Sequence, residues 1–116
     1  MKEKDELLYS RAIKTFGIEH QKMMLIEESS ELVKELVKEY RLRIQHREIV
    51  PTEESEALEK EKTNKIIEEI VDVQIVLDQL KLIYCSETKL YKMVRREKLN
   101  RLQQKINKNA EKNRVI

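Results

Sequence analysis

Four acidic side chains recur at an interval that lets them share a ligand: Glu28 and Glu31 in IEESSELVKE (26–35), and Glu69 and Asp72 in IIEEIVDVQI (66–75). Three residues apart on a helix, two carboxylates reach one point on its surface. Advancing about 100° per residue, Glu28 falls at the border of a stripe formed by Leu25, Leu32 and Leu36, with Glu31 one turn along and Glu27 turned farther outward. The same construction puts Glu69 within a face made by Val73, Val76 and Leu80, with Asp72 beside it. An ionised carboxylate in such surroundings is costly unless a cation compensates it. Two pairs on facing helices would offer four hard oxygen donors, which suit Mg²⁺ or Mn²⁺. His20 and His46 do not fall at zinc-ligand spacing and Cys85 stands alone, so softer metals lack their ligands.

The competing reading is a solvated helix face, because an EExxE among many lysines is ordinarily that. Two such pairs on apolar helices, with one internal spacing, bring the two readings level. A second candidate cluster is basic: Lys98 and Arg101, one turn apart, could neutralise a polyphosphate, although cations near a helix C-terminus also complement the helix dipole.

The elements that must carry these residues are helices. The 116-residue chain has one Gly, one Pro and 40% charged residues, so turn formers are nearly absent and an all-α fold in a single domain, residues 1–116, is expected. A first helix spans 3–15 with Leu7, Leu8, Ala12 and Ile13 near one face, and Gly17 stops it. A second runs from Ile18 to about Gln45, with Met23 and Met24 expected in the core, before Pro51 breaks the chain. Thr52 and the acids that follow start a third near residue 53. From Ile66 to Tyr84 that helix is apolar almost all round, which predicts burial. Ser86 can cap a basic helix over about 88–112, with Leu90, Met93, Val94, Leu99, Leu102 and Ile106 facing inward. The expected assembly is a four-to-five-helix bundle that self-associates.

Charge and cysteine usage narrow the function classes. The net charge of +2 gives no general case for nucleic acid or membrane binding. From residue 87 onward, ten Lys and Arg face three acids, so the chain is polarised. A lone cysteine excludes an intrachain disulfide, and without an apolar N-terminal run a cytoplasmic location is expected.

Taken together, FGIEHQKMMLIEESSELVKEL, IIEEIVDVQIVLDQL and EKLNRL resemble the MazG-type all-α nucleoside triphosphate pyrophosphohydrolases, a group that includes dimeric dUTPases. Their signature is EExxE, a spacer, ExxD and a later Lys and Arg, and the likeness covers roughly residues 10 to 105. The resemblance implies a MazG-like bundle that hydrolyses a nucleoside triphosphate to a monophosphate and pyrophosphate with Mg²⁺, or Mn²⁺, as cofactor. It assigns Glu28, Glu31, Glu69 and Asp72 to the metal, Glu27 or Glu28 to the attacking water, and Lys98 and Arg101 to substrate phosphates. Phe16, His20 and Gln21 would line the base pocket of a homodimer or homotetramer. Residues 32 to 68 separate the two motifs, longer than the usual linker, with 41–64 as the excess. That excess could extend the helices, cover the site or make a subunit contact.

Three rival readings remain. A coiled-coil adaptor should keep strict a/d heptads, and the all-round apolar third helix breaks that narrow seam. A nucleic-acid binder using the basic C-terminal helix would lack interleaved aromatics and a binding motif. A degenerate relative would bind nucleotide or metal without turnover.

Overall fold

The computed structural model describes residues 3–85 and 88–114. Four helices account for nearly all of them, α1 (Glu3–Phe16), α2 (Ile18–His46), α3 (Glu53–Tyr84) and α4 (Thr88–Arg114), with no strand among the described residues. The fold is therefore all-α, and the helix boundaries fall where the punctuation residues put them. Ser86 and its expected cap lie outside the described residues.

Gly17 ends α1 at φ 94°, a backbone conformation that L side chains rarely adopt. Its N–H donates to the Ile13 carbonyl at 2.8 Å while its own carbonyl accepts from Gln21 N–H at 3.2 Å, so one residue closes α1 and opens α2. At the start of α3, Thr52 Oγ1 accepts from Ser55 N–H (3.1 Å) and Ser55 Oγ accepts from Thr52 N–H (2.8 Å). This is a reciprocal capping box with Ser in the position usually held by Glu or Gln. The excess segment 41–64 lengthens both helices around the short connection 47–52.

The chain forms two compact units, Met1–Ile83 and Tyr84–Ile116. In the first, α2 and α3 make an antiparallel hairpin. Gln21, near the start of α2, hydrogen-bonds Gln79, near the end of α3. At the other end His46 Nδ1 lies 3.1 Å from Glu59 Oε1. The shielded positions of α2 include Gln21, Leu25, Glu28, Leu32, Glu35, Glu39, Leu42 and His46; those of α3 include Glu59, Lys62, Ile66, Glu69, Val73, Val76, Gln79 and Leu80. Both series advance by threes and fours, the seam of a coiled coil. α1 adds Tyr9, Ala12 and Ile13 as partly shielded residues. The Tyr9 hydroxyl is pushed up in pKa by burial and then by Asp78 of α3 and Asp5.

Burial departs from the expectation. Ile67, Ile70, Val71, Ile75 and Leu77 of α3 are all exposed, as are Met23, Leu7 and Leu8, and among the described residues only Leu42, Ile66 and Val76 are buried hydrophobics. A hairpin buries one seam per helix, and the apolarity of α3 is two interleaved seams, of which the hairpin covers one. In the second unit, Leu90, Met93, Val94, Leu99, Leu102 and Ile106 are likewise exposed, since a single helix has nothing to pack on within its own unit. They also occupy two faces: about 100° per residue sets Leu90, Met93 and Val94 nearly opposite Leu99, Leu102 and Ile106. No helix of the described residues is long and apolar enough to cross a membrane.

Candidate metal centre

The hairpin seam places the two acidic motifs at the same level. Glu28 on α2 and Glu69 and Asp72 on α3 each offer a carboxylate oxygen, and these atoms all lie within 4.8 Å of one another. Glu69 is buried at 7% exposure, Glu28 is half-buried and Asp72 is exposed, so the cluster runs from the seam to the surface. Glu69 Oε2 is fully buried and has no hydrogen-bond partner, while Oε1 has Lys65 Nζ at 3.9 Å, a long and half-exposed ion pair. The Glu28 carboxyl is pushed above the ordinary glutamate range, first by burial and then by Asp72, Glu69, Glu27 and Glu31. Like charges gathered at one point and an orphaned buried oxygen are what a cation would relieve. An all-oxygen donor set fits Mg²⁺ or Mn²⁺ rather than a softer ion.

Not every expected ligand joins this trio. Glu31 is exposed and pairs with Lys34 at 3.4 Å, and Glu27 is exposed beside the cluster. Both still contribute to the field on Glu28. Lys98 and Arg101 lie on α4 in the second unit, where Arg101 Nη2 donates to Glu97 Oε1 at 2.8 Å.

The three base-pocket candidates are neighbours at the α1–α2 turn. Phe16 and His20 stack with ring centroids 5.5 Å apart at 30°, and both are exposed. Gln21 is buried, with Oε1 2.8 Å from His20 Nδ1 and Nε2 donating to Gln79 Oε1, so its amide is committed to the fold.

Sequence reasoning missed Gln79 and Glu35. Glu35 is buried, with Oε1 3.4 Å from Lys38 Nζ and Oε2 buried without a partner; it lines a polar depression shared with Glu61, Lys62, Asn64, Lys65 and Glu68. The signal was present: Gln21, Glu28, Glu35 and Leu42 recur every seven residues, as do Asp72 and Gln79. Set against family models, curated proteins and solved structures, the chain matches none of them.

Proposed function

We propose that the chain is a Mg²⁺- or Mn²⁺-dependent nucleoside triphosphate pyrophosphohydrolase of the MazG type, working as a homo-oligomer and releasing a nucleoside monophosphate and pyrophosphate. The observation that carries this reading is the convergence of Glu28, Glu69 and Asp72 from two helices, with a buried Glu69 oxygen that no donor satisfies. The order of the two acidic motifs along the chain supports it.

Glu28, Glu69 and Asp72 would hold the ion, and the resemblance adds Glu31, which here pairs with Lys34. A divalent cation bound there would neutralise and orient a triphosphate and make a water more acidic. Among the chain's own groups, Glu27 or Glu28 is assigned to the attacking water and its proton. Glu27, exposed beside Glu28, can orient that water. The α–β anhydride breaks, its electron pair leaves with pyrophosphate, and the water oxygen stays with one phosphorus. The resemblance alone would give Lys98 and Arg101 of α4 to substrate phosphates. Phe16 and His20 are better placed to meet a base than Gln21, whose amide is taken up by Gln79.

The test is pyrophosphate release from a panel of ribo- and deoxynucleoside triphosphates with Mg²⁺, Mn²⁺ or EDTA. Release that needs the metal and disappears in Glu69→Gln and Asp72→Asn is the expected result. No release by folded, assembled protein overturns the proposal.

A further inference from the structure

One heptad beyond Glu28 along α2, the hairpin holds a second polar place. Glu35 is 6% exposed, and its Oε2 is buried without a hydrogen-bond partner. Its Oε1 lies a long 3.4 Å from Lys38 Nζ. Glu35 lines a depression of about 380 Å³ together with Glu61, Lys62, Asn64, Lys65 and Glu68 of α3. None of these side chains is apolar, so the depression does not suit a lipid or an apolar side chain. Three carboxylates against two ammonium groups disfavour an anion. A divalent cation is no better served, because two lysines line the depression and the acids that gather at ligand distance, among the described residues, are Glu28, Glu69 and Asp72. What fits is a ligand that gives N–H donors to Glu35 and offers acceptors to the lysines from adjoining atoms.

Position narrows the class. Seven residues on one helix are two turns, about 10 Å, and a nucleotide spans such a distance between its α-phosphate and its base edge. Lys65 joins the two places: it lines the depression, and its Nζ is 3.9 Å from Glu69 Oε1. We infer that the depression receives the base of the nucleotide whose phosphates the metal centre holds, and that Glu35 selects guanine. This rests on the reading of that centre as a nucleotide site.

Guanine alone among the common bases sets two N–H donors, N1–H and N2–H, side by side on one edge, and an ionised carboxylate accepts both at once. Its O6 and N7 are acceptors for the ammonium groups of Lys62 and Lys65. Adenine and cytosine place a ring-nitrogen lone pair beside their amino group, and uracil and thymine flank one N–H with two carbonyls. Each of these turns an acceptor toward the carboxylate. The mismatch is costly at Glu35, since no water reaches Oε2 to relieve it. A base reaches that oxygen by parting the rim, where Lys62, Lys65 and Glu68 are long enough to swing aside. The Phe16–His20 pair lies along α2 on the other side of the metal centre and offers stacking, which accepts every base. A nucleotide anchored at the metal turns its base to one place or the other.

The test measures dissociation constants, by calorimetry with Mg²⁺, for the α,β-methylene triphosphates of guanosine, inosine, adenosine, cytidine and uridine, which cannot be cleaved between the α and β phosphates. The guanosine analogue is expected to bind about tenfold to a hundredfold more tightly than those of adenosine, cytidine and uridine. Inosine, which lacks the N2 amino group, falls between. Glu35→Gln should replace the guanine preference with one for adenine, from which an amide can accept and to which it can donate, while Mg²⁺ binding persists. Lys62→Met should weaken the guanosine analogue more than the others. Equal affinities, no binding by any analogue, a Glu35→Gln chain that still prefers guanine, or loss of the preference in His20→Ala instead overturns the inference. Guanine-selective binding without pyrophosphate release from any triphosphate upholds it and overturns only the hydrolytic reading.

Discussion

Replacing Glu69 with Gln should stabilise the metal-free protein. Glu69 is 7% exposed, its Oε2 has no donor, and oxygens of Glu28 and Asp72 lie within 4.8 Å. At that separation each like-charge neighbour costs about 1 kcal/mol with water-like screening and about 3 kcal/mol at an effective dielectric of 20. Asp72 is exposed and belongs near the lower figure; half-buried Glu28 falls between the two. The opposing loss is the Lys65 ion pair, which at 3.9 Å and half-exposed is worth below about 1 kcal/mol. A glutamine keeps the shape and offers N–H donors to the remaining carboxylates. The net expectation is a gain of about 1–3 kcal/mol in EDTA, a rise of several degrees in melting temperature. Adding Mg²⁺ reverses the order: wild type gains about 2.7 kcal/mol at a hundredfold excess over its dissociation constant, and the variant gains little. Calorimetry or thermal circular dichroism in EDTA and in Mg²⁺ reads both effects. A variant less stable than wild type in EDTA, or one that responds equally to Mg²⁺, would refute the reasoning.

Two further outcomes follow from the same seam. The elevated Glu28 carboxyl makes metal-free folding favour the protonated form. That contribution is complete below roughly pH 4, the ordinary glutamate value, and is lost as pH rises through the higher folded value. Denaturant midpoints without metal should therefore fall toward neutral pH, and Glu28→Gln should flatten that slope; an unchanged slope sinks the assignment. The buried Gln21–Gln79 pair predicts a non-additive cycle: Gln21→Leu alone strands the Gln79 amide at a cost of about 1–3 kcal/mol, whereas Gln21→Leu with Gln79→Leu recovers most of it. Additive losses in urea melts would show that the two amides do not depend on each other.

Helix boundaries were legible because this chain has so few punctuation marks. Gly17, Pro51 and Thr52 each act at the position where their chemistry requires a break, and no other Gly or Pro competes with them. The motif spacing set Glu69 beside Asp72 on one helix face, whereas their meeting with Glu28 comes from the hairpin and leaves Glu31 outside the trio. Burial was not, because a helical wheel drawn at 3.6 residues merges what the hairpin separates. On α3 the inner series Ile66, Glu69, Val73 and Val76 and the outer series Ile67, Ile70, Gln74 and Leu77 look like one all-round apolar helix. Glu35 and Gln79 escaped for a related reason. They were polar residues outside the two motifs, and only the seven-residue interval connects them to the seam.

The seam that aligns the acids also explains why the chain is poorly furnished with core. Gln21, Glu28, Glu35, Glu69 and Gln79 occupy positions that a stable two-helix coiled coil would give to Leu or Ile. Glu35 and Glu69 each keep a buried oxygen without a partner, so the hairpin carries a stability deficit at the level of its candidate metal centre and one heptad beyond it. A cation among the carboxylates, as proposed for Glu28, Glu69 and Asp72, would offset that deficit at the first of the two levels.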